Sequence, residues 1–195
     1  MDAARQVFSE MRYTHARVQD VTECAGFSLG AFYRYFSDKD DILFAIVSIY
    51  FDQAYATTFL GARYDPSNPM QSLRKSTVQT IEFSMENRNL IKILWETSQF
   101  NRDIEEQWSE LRSRIYRKIA RLITRAQEDN IGCPGIDPIY TAELLTCMTE
   151  HAVYRKLVLP SKIPAREPEN LTEHLVNLWA RVLFLPQVWQ PVLAK

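Results

Sequence analysis

Along most of this chain apolar residues recur at the three-to-four-residue spacing of helices buried on one face, while the two-residue alternation of strands is nearly absent. From Asp38 to about Leu60 the stripe is Ile42, Leu43, Ile46, Ile49, Tyr50 and Phe51. Met70 to Asn87 repeats it with Leu73, Val78, Ile81 and Met85. Leu90 to Phe100 predicts a short apolar helix containing Trp95, and Arg102 to Asn130 a long, charge-laced one ending before Gly132. Ile139–Leu159 and Leu171–Leu185 are the last two, joined by the proline-rich PSKIPAREPEN. Helix interiors exclude proline, and the nine prolines fall between these stretches in four groups, none before Pro66. The pattern predicts an all-α fold.

The first 45 residues differ, with three short helices in place of long ones. Ala3, Ala4, Val7, Phe8 and Met11 make one apolar face, and Val18, Val21 and Ala25 another. Gly26 suits the left-handed position that closes a helix, and Ser28 suits the cap of the next. Two short helices about a glycine turn form a helix-turn-helix, whose second helix enters a DNA major groove. On that helix, at 100° per residue, Phe32 and Phe36 fall at roughly 300° and 340° from Leu29, and Arg34 at roughly 140°. Phe27, Phe32 and Phe36 are expected to anchor the segment. Gly30 and Ala31 let the backbone approach base edges, and Arg34 binds guanine or phosphate. Tyr33 and Tyr35 flank Arg34 and either pack at the surface or offer hydroxyls to phosphates. Ser37 with Asp40 predicts a capping box opening the next helix. Lys39 in that first turn opposes the helix dipole, which a bound phosphate would explain.

Composition narrows the function. Apolar residues are 46% and charged residues 24% of 195, as in ordinary globular chains. No apolar run is long enough to span a membrane, and MDAARQVFSEMR lacks a secretion leader, so a cytoplasmic protein is expected. Cys24, Cys133 and Cys147 have no metal-ligand spacing and read as reduced thiols. No metal or cofactor is implied. The net charge is −1, and residues 1–45 carry five Lys/Arg against seven Asp/Glu, so DNA binding must rest on local placement of charge. Glu150-His151 and Glu173-His174 are adjacent on helices and diverge by about 100°, and no nucleophile elbow or phosphate loop occurs. The chain is expected not to be an enzyme.

The stretch VQDVTECAGFSLGAFYRYFSDKDDIL resembles the DNA-binding signature of the TetR family of bacterial transcriptional regulators. Gly26, Ser28, Gly30, Tyr33, Phe36 and Lys39 all match, over roughly residues 2–45. The resemblance implies a DNA-binding domain over 1–45 and an effector-binding and dimerisation domain over 46–195. It implies DNA contacts from Ser28, Leu29, Gly30, Ala31, Tyr33, Arg34 and Tyr35, and a phosphate contact from Lys39. It also implies a repressor that binds palindromic operator DNA as a homodimer, joined through residues 139–159 and 171–185, and is released by a small hydrophobic or aromatic effector. Phe83, Trp95, Gln99, Phe100, Trp108 and Tyr116 are the candidate effector-lining residues. Two positions depart from the family. Ala16 and Arg17 stand where a capping Ser/Thr is usual, so a weak cap is expected, with Arg17 supplying the phosphate contact. Leu29 replaces a frequent lysine or polar residue. The acidic head also leaves a second reading, a ligand-binding or interaction protein with a degenerate or truncated DNA-binding head.

Overall fold

The computed structural model describes residues 1–57, 65–159 and 168–193. Ten α-helices follow in order among them: α1 (Asp2–Met11), α2 (Val18–Ala25), α3 (Leu29–Phe32), α4 (Lys39–Thr57), α5 (Pro69–Glu86), α6 (Arg88–Thr97), α7 (Arg102–Glu128), α8 (Pro138–Val153), α9 (Pro168–Leu183) and α10 (Pro186–Leu193). α8 runs on as a π-helical turn over Tyr154–Val158. The expected all-α class holds, and the one bridge of β type among the described residues joins Gly132 to Phe184.

The structure departs from the sequence reading at two places, the start of α9 and the presence of α10. The expected end of the fourth helix at Leu60, and residues 160–167 of the proline-rich linker, lie outside the described residues. The last three linker residues instead open α9, with Pro168 in the first position, where a missing N–H costs nothing. α10 was not anticipated, because Pro186 and Pro191 read as breakers. Pro186 also opens its helix, and the Trp189 indole N–H donates to the Phe184 carbonyl at 3.2 Å.

The chain divides into two compact units, with the division falling inside α4 and α7. The first comprises Met1–Gln53 and Asn87–Ser109, so the unit holding the head is larger than residues 1–45. Its core is built from Val7 and Phe8 of α1, from Ile42, Leu43, Ile46 and Val47 of α4, and from Leu90, Ile91, Ile93 and Leu94 of α6. The apolar face of α6 packs on α1, which is why residues distant in sequence join the head.

The second unit comprises Ala54–Glu86 and Glu110–Lys195. Here α5 packs on α9, and α10 packs on both. Trp179 is fully buried, and its indole N–H donates to the Thr149 hydroxyl at 2.9 Å, so its one polar group is satisfied.

A backbone joint ties the loop after α7 to the end of α9. Cys133 N–H donates to the Leu183 carbonyl and Leu185 N–H to the Ile131 carbonyl, both at 2.9 Å. Gln127 steadies the loop by donating from Nε2 to the carbonyls of Cys133 and Ile136. Gly132 lies so close to the last turn of α7 that an added Cβ would stand 2.7 Å from the Ala126 carbonyl carbon and the Gln127 nitrogen. Both obstacles are backbone and cannot rotate away. Gly132→Ala is expected to cost about 1–3 kcal/mol of stability, read as a lower urea midpoint at unchanged slope.

Candidate nucleic-acid interface

The interface begins with how α2 starts and stops. Arg17 precedes α2 in extended conformation, and its side chain makes no cap, since a guanidinium has no acceptor. The Asp20 carboxylate supplies half of the motif, accepting from Arg17 N–H at 2.7 Å. Arg17 itself is exposed. At the other end Gly26 is left-handed, with φ 69° and ψ 28°. Gly26 N–H donates to the Glu23 carbonyl at 3.2 Å and Phe27 N–H to the Thr22 carbonyl at 3.0 Å, the paired bonds of a Schellman turn. Nothing lies within 4 Å of a Cβ added there, so glycine is favoured by backbone conformation alone.

That turn aims the next element. Ser28 caps α3 by accepting from Ala31 N–H at 3.2 Å. α3 proper is one turn, and the chain continues as tight turns through Tyr33–Tyr35, closed by Tyr35 and Phe36 N–H donating to the Phe32 carbonyl. Phe32 is buried and Phe36 half-buried. Leu29, Gly30, Tyr33, Arg34 and Tyr35 are exposed, Tyr35 at 80%, and Ala31 is half-buried. The outward set expected from the sequence is thus solvent-facing. Phe27 departs from expectation: it is 70% exposed and does not anchor the segment.

Helix α4 starts one residue later than anticipated. Asp38, not Ser37, caps it, accepting from Asp41 N–H at 2.9 Å, and the Asp41 carboxylate reaches back to Ser37 N–H at 2.9 Å. Asp40 is drawn elsewhere, accepting from the buried Tyr13 hydroxyl. Lys39 is also turned inward. Its Nζ donates to the carbonyls of Tyr13 at 3.0 Å and Ala16 at 3.3 Å and sits 4.5 Å from the Tyr13 ring centre. The carbonyls of the α1–α2 turn are therefore a reason of their own for a cation in this first turn.

The candidate effector residues divide between the two units. Trp95, Gln99, Phe100 and Trp108 fall in the first unit; Trp95 and Trp108 meet edge to face at 5.3 Å, while Phe100 is 60% exposed and Gln99 exposed. Phe83 and Tyr116 fall in the second unit, both half-buried. A cavity of about 30 Å³ in that unit is lined instead by Leu73, Ile119, Ile123, Trp179 and Phe184 among others. Sequence carried no signal for it, because lining residues and core residues share one apolar periodicity.

Tyr116 belongs to a polar cluster between α7 and α8. Its hydroxyl lies 3.5 Å from Cys147 Sγ, and burial, then that contact, then the Glu150 charge push the phenol upward. Burial likewise holds the Glu150 carboxyl above the ordinary carboxylate range, against the pull of Arg112, whose Nε donates to it at 3.1 Å. The carboxyl is desolvated although the side chain as a whole keeps 25% of its surface.

Two predictions follow from these contacts. Lys39→Ala should lower stability by about 1–2 kcal/mol, since hydrogen bonds to charged groups are lost, and should leave unchanged the salt slope of any DNA binding; a slope flatter by about one unit would restore the phosphate contact. Glu150 in the folded chain holds its proton more tightly than in the unfolded chain, so its contribution to stability is greatest in acid and is lost as pH rises from about 4.3 through the folded value. Glu150→Gln should therefore narrow the difference in unfolding free energy between pH 5 and pH 7.

Known proteins resemble this architecture. Residues 1–46 match the family model described as bacterial regulatory proteins, tetR family. HTH-type transcriptional regulator EthR of Mycolicibacterium smegmatis is 20% identical over 181 residues, covering 93% of this chain and 82% of its own. HTH-type transcriptional regulator YuxN of Bacillus subtilis is 26% identical over 93 residues, 48% of this chain, and the match spans 32% of its length. Among solved structures SmeT, the repressor of the Stenotrophomonas maltophilia multidrug efflux pump SmeDEF, gives a TM-score of 0.72 at 18% identity, covering 98% of this chain and 91% of that one. A likeness at such identity speaks for the fold.

Proposed function

The chain belongs to the TetR family of bacterial transcriptional regulators, and on that premise we propose a repressor that binds palindromic operator DNA as a homodimer and is released by a small hydrophobic molecule. The observation that carries the DNA half is the turn after Ser28, where Gly30 and Arg34 are exposed beside half-buried Ala31 on the element that the Schellman turn at Gly26 leads into. Leu29, Tyr33 and Tyr35 share that surface, and exposed Arg17 can reach the phosphate backbone from the start of α2.

Dimerisation is supported by the outer faces of the late helices. Tyr140 and Leu144 of α8 and Leu178 and Val182 of α9 are exposed. Within residues 139–159 and 171–185 these side chains form apolar faces of the kind that self-complementary interfaces cover. No helix among the described residues is long and apolar enough to cross a membrane, which agrees with action on DNA in the cytoplasm.

The effector reading rests on the apolar cavity of the second unit. At about 30 Å³ it holds one water-sized molecule, so an effector must part the helices that line it. Release then requires the effector to bind the DNA-incompetent form more tightly, since equal affinity shifts nothing. α4 is the proposed link, carrying Lys39 at one end and, near the other, Tyr55, whose ring lies 4.3 Å from the Arg114 guanidinium.

Selection of duplexes from a random pool by the full chain tests this reading. The enriched sequences should be two-fold symmetric, and Arg34→Ala should weaken binding to them by about 1–3 kcal/mol in gel-shift titration. Unchanged affinity would remove Arg34 from the reading set, and an asymmetric or unenriched pool would defeat the operator.

A further inference from the structure

Phe27 has no structural employment that explains it. It is the C″ residue of the Schellman turn at Gly26, where an apolar side chain normally folds back on the residue whose carbonyl its own N–H reaches. That residue is Thr22, which is buried and gives its hydroxyl to the Gln19 carbonyl at 2.9 Å. The residue before it, Val21, is apolar and buried, yet the Phe27 ring stays 70% exposed. Phe27, Arg34 and Tyr35 line one concavity of about 370 Å³ on the head, together with Met1, Ala3 and Val21. An unspent apolar ring beside the one arginine of that concavity matches the major-groove edge of a base step that offers an acceptor and a methyl group.

We infer that Phe27 reads the operator by packing its ring on the 5-methyl group of a thymine, next to the base or phosphate held by Arg34. This inference rests on the reading of the chain as an operator-binding regulator and adds a specificity-determining residue to it. Phosphates carry no methyl, so the contact discriminates sequence and adds nothing to the salt dependence. Its chemistry is also separable from the rest of the interface, because deoxyuridine differs from thymidine in that methyl alone.

The test uses the full chain and the duplex it selects, with each thymine of the half-site replaced in turn by deoxyuridine. At one position the replacement should weaken the wild type about fourfold per half-site, the worth of one buried methyl, and leave Phe27→Ala unaffected. Phe27→Leu should keep part of the discrimination, and both variants should retain the wild-type melting temperature and salt slope. Equal losses for wild type and Phe27→Ala at every thymine would overturn the inference, as would an operator in which no thymine methyl matters. If no duplex is enriched, the regulator reading falls and takes this one with it; a selected operator with uncoupled Phe27 overturns this one alone.

Discussion

The ammonium of Lys39 rests against the carbonyls of Tyr13 and Ala16, and the Tyr13 phenol, lying beside that ammonium, donates to Asp40. This knot closes the corner on which the head depends. The α1–α2 turn contains Arg12 at φ 63°, a left-handed conformation that a side chain makes costly, at about 1–3 kcal/mol. Such a corner persists only where its surroundings over-determine it. The Arg12 carbonyl accepts from both His15 and Ala16 N–H, and the Tyr13 and Ala16 carbonyls accept from Lys39. The placement of α2, and through Gly26 that of the reading turn, is thus fixed by the first turn of α4.

The same packing accounts for the acidic balance of the head. Of its seven carboxylates, five stand at helix starts. Asp2 lies in the first turn of α1, Asp20 bonds the residue before α2, and Asp38 and Asp41 close the start of α4, with Asp40 in its first turn. Negative charge there is offset by the positive end of the helix dipole. Arg17 and Arg34 remain exposed and make no salt bridge among the described residues. The formal count of charges understates how positive the reading surface can be.

What the sequence made legible was local. Gly26 and Ser28 do what their residue types and spacing predict, because a Schellman turn and an N-cap are decided within a few residues. The cap of α4 was misplaced by one residue because Asp40 answers to Tyr13, 27 positions away. Lys39 likewise answers to carbonyls 26 and 23 positions away. Phe27 has the apolarity of an anchor, yet its ring is 70% exposed. The late helices expose apolar faces that periodicity alone cannot tell from buried ones. Aromatic character does not separate lining from packing: Trp95 and Trp108 pack on each other and Phe100 faces solvent.

The joint at Gly132 has a mechanical consequence for the second unit. α7 and α9 are riveted together at one end by backbone hydrogen bonds that no side-chain motion can release. Ala126 and Phe184, beside the rivet, form one end of the apolar cavity, while Leu73 of α5 forms another wall. The third wall is held differently: α5 lies on α9 through side-chain packing and the exposed Arg74–Glu173 ion pair at 2.6 Å. The cavity is thus bounded on one side by backbone bonds that cannot rotate and on the other by side chains that can.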